Sequence, residues 1–157
     1  MLTPQERIRG QLLHSIAEVA CTLVNGRAAS VALLDDDSGD LVFVAAAGEN
    51  AGEVEGARFP CTAGVAGQVL KAGEPVLIRD LSNEPGFARD IAVAAGYEPD
   101  AMAVLPINRA GKTIGVIEVL DPIPDESLLA PLGMLAAHAA VALDVSAALA
   151  DESAAGS

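Results

Sequence analysis

Near the start of the chain, Thr3-Pro4-Gln5-Glu6 forms a capping-box pattern with proline at the first helical position. Ile8, Leu12, Ile16, Val19 and Leu23 then recur at spacings of three and four until Gly26 stops the pattern, which predicts a helix over 4–25. A second stripe of Leu13, Ala17, Ala20 and Val24 runs beside the first. Together the two cover about half of the helix circumference at ~100° per residue, more than one sheet face covers. The remainder calls for a second helix, for example from another subunit.

The period then changes. Runs 29–34 and 41–47 read as strands joined by the acidic turn Asp35-Asp36-Asp37-Ser38-Gly39-Asp40, a hairpin signature. The Gly- and Glu-rich stretch 48–56 reads as loop, and 57–60 as a short extended piece. Thr62 has the chemistry of an N-cap for a helix ending before Gly73, and 75–78 reads as a short strand. Asn83-Glu84-Pro85-Gly86 breaks the chain before a short helix expected over 87–95. A second hairpin, 101–107 with 113–120, turns through Arg109-Ala110-Gly111-Lys112, where Gly111 can take a positive φ. The last helix is expected over 128–150, with Pro131 tolerable near its first turn and 151–157 as a frayed, disordered tail. The order of elements is that of an α+β domain, with two long helices bracketing a mostly antiparallel sheet.

Length makes this one domain, spanning 1–150 of the 157 residues. Aromatic residues are limited to Phe43, Phe59, Phe87 and Tyr97, so the core must be aliphatic and small. The formal charge of −13 repels phosphate backbones and anionic membrane surfaces, so neither a nucleic acid nor a membrane is an expected partner. Cys21 and Cys61 are too few for a disulfide framework, and no metal-ligand spacing joins them to His14 or His138. The N-terminus lacks a signal-peptide pattern, and no uninterrupted apolar stretch of about 18 residues occurs, which leads to the expectation of a cytoplasmic protein. No Ser-His-Asp or paired-carboxylate arrangement stands out, and the expectation is a protein that is not an enzyme, with no cofactor.

Four motifs in order resemble the GAF family. They are Gly64-Val65-Ala66-Gly67-Gln68-Val69-Leu70 followed by Ala72-Gly73-Glu74-Pro75-Val76; Asp80-Leu81-Ser82-Asn83-Glu84-Pro85; Ala103-Val104-Leu105-Pro106-Ile107 with Gly111 and Ile114-Gly115-Val116-Ile117-Glu118-Val119; and the helix Leu135 to Leu143. The resemblance covers about residues 5–149. It implies a six-stranded antiparallel sheet, a small-molecule pocket on one face, and terminal helices that mediate a homodimer, here 4–25 and 128–150. It places the pocket between the sheet and segments 59–66 and 80–97, lined by Phe59, Cys61, Thr62, Val65, Phe87, Asp90, Tyr97 and Met102. Cyclic-nucleotide-binding members carry an Asn-Lys…Phe-x-x-x-Asp-Glu signature. Here Asn83 precedes Glu84, and Phe87 precedes Arg89-Asp90 at a different spacing, which argues against such a ligand.

Individual residues admit two readings each. The Gly64–Gly67 stretch is either close helix packing or a run of amides facing an anion. Cys61, next to a helix N-terminus, is either a small apolar filler or a thiol of lowered pKa. Cys21 and His14 read as surface or interface residues, and His138 as a structural residue on a stripe with Met134, Val141 and Val145 rather than a haem ligand. Three functions follow: a ligand-sensing regulatory domain, a degenerate dimerisation or partner-binding scaffold, and a thiol-based redox sensor or reductase built on Cys61.

Overall fold

A computed structural model describes residues 1–84 and 98–155. Helix α1 spans Pro4–Leu23, and its capping box is formed as predicted: the Glu6 amide donates to Thr3 Oγ1 at 3.1 Å, and the Thr3 amide donates to Glu6 Oε2 at 2.7 Å. Strands β1 (Ala28–Asp35) and β2 (Asp40–Gly48) make the first hairpin, followed by a helical turn α2 (Ala51–Val54) and the short strand β3 (Arg58–Pro60). Helix α3 (Gly64–Ala72) leads to β4 (Val76–Ile78) and a 3₁₀ turn at Leu81–Asn83. Strands β5 (Met102–Arg109) and β6 (Lys112–Leu120) make the second hairpin, and a 3₁₀ turn at Glu126–Leu128 enters α4 (Leu129–Ala155). The sheet is six-stranded, in the order β3-β2-β1-β6-β5-β4, with every neighbouring pair antiparallel. This is the α+β architecture that the sequence implies.

The two-residue β5–β6 turn places both Ala110 and Gly111 at positive φ, 51° and 79°, the twist that suits a tight hairpin. At Gly115 the hydrogen atom is a spatial need as well: a Cβ there would collide with the Ala32 carbonyl oxygen of the adjacent strand.

Strand alternation divides the interior in two. On one face, Ala29, Val31 and Leu33 of β1 join Ile117 and Val119 of β6 and Leu105 and Ile107 of β5 beneath α1 and α4. On the other, Ala32, Val116, Val104 and Met102 lie beneath α3 with Val65 and Val69. In β2 a bulge between the pairs Val31–Ala45 and Ala32–Phe43 switches the alternation. Leu41 and Phe43 therefore serve the α3 face, while Ala45 and Ala47 serve the helix face.

Four local expectations are corrected. Residues 51–54 form a helical turn rather than continuous loop, entered from Asn50 in the left-handed conformation at φ 59°. Thr62 is not an N-cap: α3 starts at Gly64, its N-cap is Ala63, and no side chain caps it. Helix α4 runs to Ala155, so 151–155 are helical rather than a frayed tail; no glycine or proline interrupts the chain between Gly133 and Gly156. Cys21, expected as a surface or interface residue, is half-buried against the domain's own core, where its thiol donates to the Gly26 carbonyl at 3.2 Å. The short helix expected over 87–95 lies outside the described residues.

Candidate functional site

The α3 face does not close on itself. A cavity of about 140 Å³, counted as space open to the centre of a water molecule, separates β1, β2 and β6 from α2, β3 and the start of α3. One water needs ~10–15 Å³ on that measure, so the space is far larger than a packing defect. Small residues make it: Ala28, Ala46, Ala57, Ala63, Gly64 and Ala66 line it where larger side chains would fill it. Phe43 and Phe59 form one wall, with ring centroids 5.6 Å apart and planes at 84°, an edge-to-face pair.

The opposite wall is set by the chain entering β5. Asp121, at φ 49°, accepts hydrogen bonds from the amides of Asp100 at 2.7 Å and Ala101 at 3.1 Å. The Asp100 carbonyl in turn accepts from the Leu81 amide at 2.9 Å. Pro99 and Met102 are thereby held against the cavity.

Glu118 lies on the floor. It is only 8% exposed, in the middle of β6, and it faces the cavity because its flanking residues Ile117 and Val119 face α1 and α4. Its cross-strand neighbours are Ser30 of β1 and Val104 of β5, and Ser30 also lines the cavity. No hydrogen bond or ion pair reaches its carboxyl from the described residues, and burial alone pushes its pKa up to about 7. Among the described residues, the other ionisable ones lining the cavity are Glu49 and Glu53, both exposed. Glu49 is paired with Arg27, whose hydrogen bond holds its carboxyl below the ordinary range. Among the described residues no Lys, Arg or His lines the space. The start of α3 does border the cavity through Ala63 and Gly64, but the surrounding charge is acidic and opposes an anion there.

Of the eight residues expected at the site, the structure brings Phe59, Val65 and Met102 to this cavity. Cys61 and Thr62 instead open on a separate groove between α3 and the β5–β6 turn, beside Gln68, Lys71 and Lys112. The reason is the turn into α3, where Gly67 packs so closely on the preceding loop that a Cβ would lie 2.6 Å from the Thr62 carbonyl carbon. Phe87, Asp90 and Tyr97 lie outside the described residues. Glu118 and Ser30 were missed, although Glu118 is conspicuous as the single charge within the apolar run Ile114 to Leu120.

On the far side of the sheet, α1 packs against α4, and Leu13, Ala17 and Ala20 of α1 meet Leu132, Ala136, Ala139, Ala140 and Leu143 of α4 in one cluster. The outward faces are also apolar. Ile8, Leu12, Val19 and Leu23 are exposed within an arc of about 60° on α1, as are Met134, Val141 and Val145 on α4. His138 belongs to this outer face, with Nδ1 2.7 Å from the Met134 carbonyl oxygen.

A family model described as the GAF domain matches residues 9–144. Among curated proteins, the Nif-specific regulatory protein of Herbaspirillum seropedicae is 28% identical over 86 residues, which are 54% of this chain. The matched part is only 16% of that protein's length. Among solved structures, the GAF domain from a phosphoenolpyruvate-protein phosphotransferase of Coxiella burnetii superposes with a TM-score of 0.81 at 23% identity, covering 91% of this chain and 86% of that one. The free methionine-R-sulfoxide reductase from Neisseria meningitidis, solved in complex with its substrate, superposes with a TM-score of 0.73 at 20% identity, covering 92% and 89%. The match to the family model spans most of the chain and agrees with the sheet order and the four sequence motifs; the chain belongs to the GAF domain family.

Proposed function

We propose that this GAF domain is a small-molecule sensor in which occupancy of the cavity biases the packing of the terminal helices in a homodimer. The observation that carries this reading is the cavity itself, together with its position. It lies one sheet thickness from the helix layer, and the same strands line both. Ile117 and Val119 pack under α1 and α4, and Glu118 between them faces the cavity. A ligand that shifts β6 therefore acts on residues that support the helices, without any longer relay.

The dimer rests on the exposed stripes of α1 and α4. Apolar arcs on neighbouring helices favour burial against a partner, and identical arcs on a second copy provide one with two-fold symmetry. A scaffold with no ligand would have no use for the open space beneath α3. Cys61 opens on the other groove, so the cavity lends no support to a thiol reaction within it.

The test is hydrogen exchange of the full chain with and without a compound that raises its melting temperature. Sensing requires changed protection in α1 and α4 as well as around the cavity; a change confined to the cavity would refute the coupling. Val141→Asp tests the interface by light scattering. It should convert a dimer to a monomer while altering the monomer's own stability by less than ~0.5 kcal/mol, as is usual for an exposed site.

A further inference from the structure

Glu118 is a buried acid aimed into the cavity with no protein partner among the described residues. Buried polar groups in folded proteins are nearly always satisfied, because an unsatisfied one keeps its desolvation cost without return. Among the described residues the side chains lining the cavity are otherwise apolar, apart from the Ser30 hydroxyl beside Glu118 and the exposed carboxylates of Glu49 and Glu53. Ionised, Glu118 only accepts hydrogen bonds, so a ligand that satisfies its carboxylate brings a donor, and one that suits the surrounding charge is cationic.

Resting on the sensing reading above, we propose that the cavity takes a small molecule with an apolar body and one protonated amine, the amine donating to the Glu118 carboxylate. The apolar body lies against Phe43, Phe59 and Met102, and Ser30 is placed to accept a second amine hydrogen. A charge-assisted hydrogen bond inside such a space is shorter and stronger than a neutral one. Carboxylates and phosphates face the reverse situation, since among the described residues every ionisable side chain lining the cavity is an acid.

The probes are hexylamine and phenethylamine, matched with hexanol and hexanoate, in thermal-shift and calorimetric titrations of the full chain at pH 6 and pH 8. The amines should bind and raise the melting temperature, while hexanol and hexanoate should do so at least tenfold more weakly. Binding requires ionised Glu118, which titrates at about 7, so amine affinity should tighten about tenfold from pH 6 to pH 8. Glu118→Gln should remove both the affinity and its pH dependence. Glu74→Gln, at an exposed carboxyl that does not line the cavity, should preserve both, which separates the floor acid from the loss of one negative charge elsewhere on the chain; Glu49 is held ionised by Arg27 across this range. Ala46→Leu, which fills the cavity and leaves Glu118 in place, should also abolish binding. Equal affinity for hexanol or hexanoate, or amine binding unchanged in Glu118→Gln, would overturn the amine assignment. If a non-amine binds and changes α1 and α4 exchange, sensing stands without the amine. If the amine binds and those helices do not respond, the amine assignment stands without sensing.

Discussion

The two faces of the sheet are made by alternate residues of the same strands, yet they are packed to different ends. The helix face is filled, with Val31, Leu105, Ile107, Ile117, Val119 and Leu132 at 0–1% exposure. The α3 face surrounds a cavity of about 140 Å³ opened by alanine and glycine, and it holds an acid with no partner among the described residues. Close packing gives the first face its stability, and forgoing close packing gives the second its room. The contrast shows how a thin domain separates the two requirements: both layers bury aliphatic side chains completely, Val104 and Val116 included, but the α3 layer also leaves open space, which costs some stability.

The largest effect should come from the filled face. Ile117→Ala deletes a fully buried side chain where well-packed neighbours cannot collapse, and should cost about 3 kcal/mol, read as a fall in the urea midpoint with an unchanged slope. A loss below ~1 kcal/mol would mean that this face is less tightly packed than the contrast requires.

The next effect belongs to the cavity floor and depends on pH. Glu118 ionises at about 7 in the folded chain against 4.5 ordinarily, so between those values the folded state holds a proton that the unfolded state has released. Stability on this account is fully present below 4.5 and is lost as pH rises through about 7, a decline of about 3 kcal/mol at most. Glu118→Gln should flatten the melting temperature across that window in the absence of ligand. The carboxylates lowered by hydrogen bonds, Asp35 from Arg58 and Asp80 and Asp125 from neighbouring serines, act with the opposite sign and only at lower pH, so the two contributions are separable. A wild-type profile that rises between pH 5 and 7 by as much as the variant's would contradict the assignment.

The smallest effect sharpens the boundary between cavity and groove. Thr62→Ala should leave both stability and ligand affinity within error, because Thr62 makes no cap bond and does not line the cavity. A loss of about 1 kcal/mol would restore it as a helix cap. A loss of ligand response would return it to the site.

Much of the fold was legible in the chain itself. The capping box at Thr3, the two hairpins, the Ala110-Gly111 turn and the helical stripes are local signals, each written in a few neighbouring residues, and the motif order from Gly64 to Leu143 carries the family. The site was legible only in part. Phe59, Val65 and Met102 reach the cavity, but the sharp turn into α3 sends Cys61 and Thr62 the other way, and no spacing in the sequence encodes that direction. Which of α1's two apolar stripes is buried was likewise undecided, since both obey the helical period; the fold buries Leu13, Ala17 and Ala20 and leaves Ile8, Leu12, Val19 and Leu23 outward. The cavity is the clearest case. A strand pattern shows which residues share a face, and Glu118 stands out in its strand, but empty space is a property of volumes summed over β1, β2, α2, β3, α3 and β6 together. Local sequence determined the elements and their order, because hydrogen bonding and periodicity act over a few residues. The tertiary structure alone determined where those elements fail to fill the space between them, because packing is settled by residues far apart in the chain.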